Sequence, residues 1–448
     1  MTLRALLVAA ALLLALPLSL EAQPQAAKEK GRTKIDSALI KVIESVAAQQ
    51  ANAIQPARTL GVPSDGSAVT GTRVLNARAF GASAAQVNGA VRQVFGSSGV
   101  IQSQSRTLIR LKVPLAMLPL IELLVQLVPE IGYVRPPLAP QTLAVSEGVA
   151  LIGADALHRN GQLGQGAKVA VIDLGFAGLS NARARGELPA NVVTRDFSGT
   201  GLEFGTGHGT AVAEIVHDVA PNAQLYLYKI SDEVDLENAV AEAIAQGIDV
   251  VNHAVGWFNT SYYDGTGVIA DIVQPALAAG VLWVNSAGNY ARRHYKGVFR
   301  DSNANRWTEF AGADETLDLQ ANAGETIQLY LTWRDWPLTA QDYDLVLVNA
   351  QGATMAVSDK TQNGGQEPTE SLRFFVPSSG TYRVKVQAFS ATAAKELTLF
   401  SLFHDLEHAV AQSSIVTPAD VHGVFSVAAI RQEAWQAGAP ASYSSQGP

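Results

Sequence analysis

The sequence predicts an α/β protein: a parallel sheet flanked by helices, preceded by an N-terminal α+β unit and interrupted by an inserted antiparallel β-sandwich. Three observations carry that prediction. Short apolar runs at 167–172, 224–230, 248–255 and 281–285 have the composition of strands buried on both faces, and stretches of helical period separate them. Further on, Ile327, Leu329, Leu331 and Trp333 alternate with polar residues, as do Tyr382, Val384 and Val386, which is the pattern of half-buried antiparallel strands. The run at 424–430 then returns to the fully apolar kind, so the sandwich lies inside the α/β domain.

Taken in chain order, Arg4 precedes an apolar run over 6–16, followed by Pro17 and the small residue Ala22. This is the layout of a secretory signal over 1–22, cleaved near Ala22, and the run is shorter than the roughly 20 apolar residues of a spanning helix. It implies a secreted protein, extracellular or periplasmic. Residues 23–65, rich in Ala, Gln and Lys, read as a flexible or marginally helical leader. Strands at 72–80 and 131–134, a strand or hairpin over 100–113, and helices at 84–95 and 115–127 then make an α+β unit over 66–140. Pro136, Pro137 and Pro140 end it, because their missing N–H groups discourage any continuing sheet or helix.

The α/β domain occupies 141–305 and 405–448, with the sandwich at 306–404. Leu236, Ala239, Val240, Ala243 and Ile244 recur at helical spacing, and Gly247 stands where a left-handed C-cap ends that helix. Ile269, Ile272, Val273, Ala276 and Leu277 repeat the arrangement before Gly280.

Composition narrows the chemistry. The 448 residues suffice for roughly three folded units, and 48% hydrophobic with 16% charged residues exclude wholesale disorder or a coiled coil. A net charge of -8 gives no electrostatic footprint for nucleic acid, and no polybasic run suggests attraction to an anionic membrane once the signal is gone. Zero Cys excludes a disulfide scaffold, thiolate catalysis and Cys-ligated zinc.

Three stretches carry chemistry. The run Gly166-Ala-Lys-Val-Ala-Val-Ile-Asp173 delivers a carboxylate at the C-terminal end of a buried strand, where open parallel sheets place their sites. Gly205-Thr-Gly-His208-Gly-Thr210 opens an amphipathic helix with an imidazole whose ordinary pKa suits a general base. Gly280-Val-Leu-Trp-Val-Asn285-Ser-Ala-Gly288-Asn289 runs a strand into a turn ending in a side-chain amide, a neutral donor suited to charge developing on a carbonyl oxygen. Taken alone, each reads equally as a cap or turn residue.

Together, and in this order, the V-I-D strand end, G-H-G-T and A-G-N resemble the subtilisin-like serine peptidases over about 150–289 and 413–448. The resemblance implies that Asp173 orients the imidazole, that His208 is the general base and that Asn289 is the oxyanion-hole amide. It further implies that the backbone of Ala254, Val255 and Gly256 pairs with an extended substrate, and that Ser286, Ala287 and Gly288 wall the P1 pocket. Residues 66–136 stand where that family carries a pro-segment of ferredoxin-like fold, which would act as an intramolecular inhibitor. The sandwich is similar to the pre-peptidase C-terminal type of β module, through Asp342-Tyr-Asp344-Leu-Val-Leu and Ser379-Gly380-Thr-Tyr-Arg-Val384.

The sequence departs from the family in one decisive respect: no G-T-S-x-A motif, which would present the nucleophile, occurs in the 448 residues. Ser442, Ser444 and Ser445 are poor substitutes, so the expectation is a chain incomplete at its C-terminus and inactive as written. Smaller departures are Ala211 and His253. No cofactor is required and no catalytic metal is expected. Asp342 and Asp344 offer oxygen ligands to a structural calcium, with plain solvation of turn carboxylates as the alternative. Trp333 and Trp336 either line a binding surface or fill the core.

The function expected is a secreted serine endopeptidase acting on polypeptides through an acyl-enzyme. A second reading is a non-catalytic secreted binding protein on a decayed peptidase scaffold. A third, a dinucleotide-binding oxidoreductase, lacks the G-x-G-x-x-G that should follow the first strand.

Overall fold

The computed structural model describes residues 72–79, 84–105, 108–135, 141–142 and 148–448, together with Ile35, Leu39, Ile40, Val42, Ile43 and Val46. The expected signal segment at 1–22, most of the leader and Pro136, Pro137 and Pro140 lie outside the described residues.

The N-terminal unit runs β1 (Thr72–Ala79), α1 (Ala84–Phe95), β2 (Val100–Gln104), β3 (Leu108–Pro114), α2 (Ile121–Leu127) and β4 (Ile131–Arg135). Its strands form one antiparallel sheet in the order β2-β3-β1-β4, the split βαβ arrangement of ferredoxin-like folds. The helix expected over 115–127 is α-helical only from Ile121; Leu115–Leu120, which contains Pro119, is wound as a tighter 3₁₀ segment. Along β3, Ile109, Leu111 and Val113 alternate into the unit's own core and meet Val87, Val91 and Phe95 of α1. Ile35, Leu39 and Ile43 are buried in the same core, and Val46 is buried as well. These four residues come from the segment read as a flexible or marginally helical leader; Leu39, Ile43 and Val46 are helical, and burial of their apolar side chains offsets the freedom the chain loses.

The next part runs β5 (Gln141–Thr142), α3 (Ala154–Arg159), β6 (Lys168–Asp173), α4 (Leu179–Arg185), β7 (Val193–Asp196) and α5 (His208–Val219). It continues with β8 (Gln224–Lys229), α6 (Glu233–Gln246), β9 (Val250–His253), β10 (Val255–Gly256), α7 (Val268–Ala278) and β11 (Leu282–Ser286). Gly247 ends α6 with φ 63°, the left-handed cap its position predicts.

Two antiparallel sheets follow, built from β12 (His294–Val298), β13 (Leu317–Ala321), β14 (Thr326–Trp333), β15 (Tyr343–Asn349), β16 (Thr354–Ser358), β17 (Thr369–Phe375), β18 (Gly380–Ala388) and β19 (Glu396–Ser401). Their orders are β12-β19-β14-β17 and β13-β18-β15-β16, and the inner faces share one core. The first of these strands begins at His294, upstream of the boundary expected at 306, because His294-Tyr-Lys-Gly-Val298 is too polar to announce a strand. Trp333 is fully buried in that core and Trp336 half-buried beside it. Asp342 and Asp344 are buried as well, so they are not the solvated turn carboxylates weighed above.

Finally β20 (Phe425–Val427) pairs parallel with β11. The six-stranded parallel sheet has the order β20-β11-β9-β6-β8-β7, so the antiparallel sheets arise from chain between two neighbouring strands. Helices flank it: α6 and α7 pack with Ala170, Ile172, Val251 and Trp283 on one face, and α4 and α5 with Val169, Val171, Leu225 and Leu227 on the other. Among the described residues no helix is long and apolar enough to cross a membrane.

Candidate active site

Parallel pairing puts the C-terminal ends of β6, β9 and β11 at one rim of the sheet. Val171 is level with Asn252, and Asn252 with Val284, so Asp173 at the end of β6 is on the same level as Ala254 and Ser286. With neighbouring strands about 4.8 Å apart, the end of β11 stands roughly 10 Å from that of β6.

Asp173 is fully buried. One of its carboxylate oxygens accepts the Leu174 N–H at 2.8 Å, and the other lies 2.7 Å from Nδ1 of His208. His208 is the first residue of α5, and its side chain keeps 12% of its surface accessible, so the ring is held on one side and reachable on the other. The glycine after it explains how the helix start comes so close. A Cβ at Gly209 would lie 2.7 Å from the Gly175 carbonyl oxygen, 2.7 Å from the Phe176 ring and 2.8 Å from Cβ of Asp173. The Gly209 N–H also donates to the Gly175 carbonyl at 3.0 Å.

His253, one of the departures noted in the sequence, is fully buried behind this pair. Its Nδ1 is 3.0 Å from the carbonyl oxygen of Ile172, and the Trp257 indole N–H is 3.4 Å from its Nε2. Burial pushes its pKa down to about 4, so it is a neutral imidazole that donates to the strand end at Ile172 and accepts from Trp257. It ties down the residue before Asp173, a role that spacing in the sequence does not reveal.

The turn after β11 contains the other predicted residues. Asn285 is buried and its amide donates to the Ser286 carbonyl at 3.0 Å; Ala287 is buried; Gly288 adopts φ 108°, where a side chain would be strained. Asn289 is partly accessible at the same rim. The turn is supported by Ser445: its N–H donates to the Gly288 carbonyl at 2.8 Å, and its hydroxyl accepts the Tyr290 N–H at 3.0 Å. Ser444 is equally committed, accepting the Ala429 N–H at 3.0 Å, and both serines are buried. The role of Ser445 was not legible in the sequence; its proximity to Gly288, where a Cβ would come within 2.8 Å of its hydroxyl, is purely tertiary.

The backbone expected to pair with substrate is itself paired within the chain. Val255 and Gly256 form β10, which pairs antiparallel with Gln141 and Thr142 of β5, and Ala254 precedes them at the rim. Metal-ligating groups lie elsewhere: Asp314, Glu407 and His408 bring ligand atoms within 4.8 Å of one another beside the sandwich, with His408 hydrogen-bonded to Asp314 at 3.0 Å.

Comparison with known proteins now bears on this geometry. Residues 164–330 match the model of the subtilase family, peptidase S8. The thermostable alkaline protease of Halalkalibacterium halodurans is 31% identical over 33% of this chain and 42% of its own. Subtilisin E of Bacillus subtilis is 30% identical over 33% of this chain and 40% of its own. A subtilisin of Bacillus pumilus is 28% identical over 41% of this chain and 74% of its own. The matches thus span less than half the length of the first two relatives. Each is a protease by name, and the matched span holds Asp173, His208 and Asn289. Over residues 164–330 this chain is thus similar to the subtilase family, peptidase S8.

Proposed function

We propose that the protein is a secreted serine endopeptidase that hydrolyses peptide bonds through an acyl-enzyme. The observation that carries this reading is the 2.7 Å contact between His208 Nδ1 and the buried Asp173 carboxylate, at the rim where Asn289 ends the neighbouring turn. Asp173 fixes the ring so that Nε2 faces outward, and it stabilises the imidazolium that forms when His208 takes a hydroxyl proton. Asn289 supplies an amide for the oxyanion. Ala254, Val255 and Gly256 hold the substrate in an extended conformation beside the wall formed by Ser286, Ala287 and Gly288. The nucleophile is not Ser444 or Ser445, whose hydroxyls are engaged with backbone N–H groups. The 448 residues contain no G-T-S-x-A motif, and turnover requires a serine brought to His208.

The N-terminal unit is the pro-segment of this enzyme and its intramolecular inhibitor. Support comes from Gln141 and Thr142, just after that unit, which occupy the β10 edge assigned to substrate.

The experiment is casein hydrolysis by protein expressed from the whole reading frame. His208→Ala and Asp173→Asn should each lower turnover by roughly 10⁴–10⁶, the range of triad removals in subtilisin. Unchanged hydrolysis in His208→Ala would refute the mechanism. A whole reading frame that hydrolyses nothing and carries no serine motif would favour the non-catalytic binding reading.

A further inference from the structure

Two strands of the parallel sheet separate just where the site begins. β6 and β9 pair through Val169↔Val250, Ala170↔Val251 and Val171↔Asn252, and there the ladder ends. β9 closes at His253, and past Ala254 the chain forms β10, the edge expected to pair with substrate. Beyond that ladder, backbone support for the end of β6 comes from the β8 side, where the Ile230 N–H donates to the Asp173 carbonyl at 2.9 Å.

On the β9 side a side chain takes over. Nδ1 of His253 lies 3.0 Å from the carbonyl oxygen of Ile172, a fully buried residue, so water does not compete for that bond. The other ring nitrogen accepts the Trp257 indole N–H at 3.4 Å. Trp257 directly follows Gly256, the last residue of β10, and it is itself anchored: fully buried, with its backbone N–H donating to the Thr417 carbonyl at 2.9 Å. Trp283 of β11 meets the imidazole edge-on at 5.6 Å. Strand alternation puts the ring on the face that carries Ile172, Val251 and Trp283, opposite the face that Asp173 shares with Val171 and α5. Its link to the carboxylate is thus the main chain at Ile172. With its pKa held down to about 4 by burial, the ring stays neutral and keeps one donor and one acceptor.

We infer that His253 is a positioning residue for the triad: it bridges Trp257, at the root of the substrate edge, to the Ile172 carbonyl, one residue before Asp173, and so fixes the spacing between the edge that holds the peptide and the carboxylate that orients His208. This inference rests on the catalytic reading above and adds a residue remote from the reacting groups. Substrate still finds β10 when the bridge is cut, but the imidazole no longer stands at the right distance from the scissile bond. The loss therefore falls on kcat and not on KM.

The test uses protein expressed from the whole reading frame and a short peptide amide as substrate. His253→Phe, which fills the space without either bond, should lower kcat by roughly ten- to a hundredfold with KM within about twofold. His253→Asn, whose side-chain nitrogen stands where Nδ1 does, should recover most of that loss, which a residue that merely filled the core would not allow from a smaller, more polar side chain. A second readout needs no turnover: the proton resonance of His208 Nδ1–H, shared with Asp173, should move or broaden in His253→Phe and return in His253→Asn. An unchanged kcat and resonance in His253→Phe, or a loss that Asn fails to recover, would overturn the inference. Should His253→Phe not fold, Trp257→Phe decides: kcat lowered by about three- to tenfold at constant KM supports the bridge, and an unchanged kcat overturns it. Failure of the catalytic reading shows separately, as a parent that leaves casein intact, and the His208 resonance still decides the role of His253.

Discussion

The α/β domain meets its two companions in opposite ways. Against the N-terminal unit it buries ions: Arg110, Asp232, Asp235, Arg135 and Glu233. Against the sandwich it buries rings. Phe258 stacks on Tyr330 with centroids 4.9 Å apart and meets Phe400 edge-on at 5.3 Å, and Tyr290 meets Phe400 at 5.6 Å, with Leu402 and Val416 completing the cluster. Apolar and aromatic surface gains nothing from being returned to water, whereas each separated ion recovers its hydration. The difference teaches that the ionic joint has a compensation for parting that the aromatic one lacks. The aromatic joint also adjoins the site, since Tyr290 follows Asn289 and Phe258 lies just past β10.

The strongest way to break this contrast is Phe400→Ala. A fully buried ring at the centre of the aromatic joint should cost about 3–5 kcal/mol in denaturant unfolding, with the contacts of the N-terminal unit unaffected; a loss below about 1 kcal/mol would mean the joint is not what secures the sandwich.

A second, smaller effect is a pH dependence confined to the ionic joint. Burial, reinforced by the neighbouring charge of Asp232 and opposed by Arg110, pushes the Asp235 carboxyl up to about 6 from 3.8. A carboxyl raised in the folded state favours that state fully below its unfolded value, and the contribution is lost as pH rises through about 6. Exchange protection of α6 should therefore rise as pH falls from about 7 to about 4, by at most roughly a hundredfold; weaker protection on acidification across that window would reverse the assignment.

A third effect sharpens the comparison from the sandwich side. Glu370 is fully buried, its carboxyl meets Ser358 and the Gln362 amide, and burial pushes its pKa up to about 8. Sandwich stability should then decline from about pH 4.5 to about pH 8 at about 1.4 kcal/mol per pH unit and level off above that, and Glu370→Gln should abolish the slope. An equally steep slope in the variant would rule Glu370 out as its source. The smallest effect expected is that of Tyr330→Phe, which keeps the stacked ring and removes only the hydroxyl bonded by Gln328: under about 1 kcal/mol by thermal unfolding.

How much of this was legible in the sequence follows from what periodicity reports. It identifies which side of an element is buried, so β6, β8, β9, β11 and the strands around Leu329 and Val384 were readable, as were Asp173 and His208 in their glycine settings. It does not say what lies against the buried side. Arg110 reads, like Lys112, as a cation in an otherwise apolar strand until Asp232, far along the chain, is placed beside it. Ile35, Leu39, Ile43 and Val46 were obscured by the Ala, Gln and Lys around them, and Gln141–Thr142 is too short to carry any period. Ser445, by sequence only a poor substitute for a nucleophile, uses its hydroxyl to support the Gly288 turn.

The pairing of β12 with β19 has a consequence for how the polypeptide assembles. His294 lies opposite Phe400, so the excursion of roughly a hundred residues leaves and re-enters the α/β domain at nearly the same point. Once those two strands zip together, the effective loop between β11 and β20 shrinks from roughly 140 residues to about 33, which lowers its closure cost by about 1 kcal/mol.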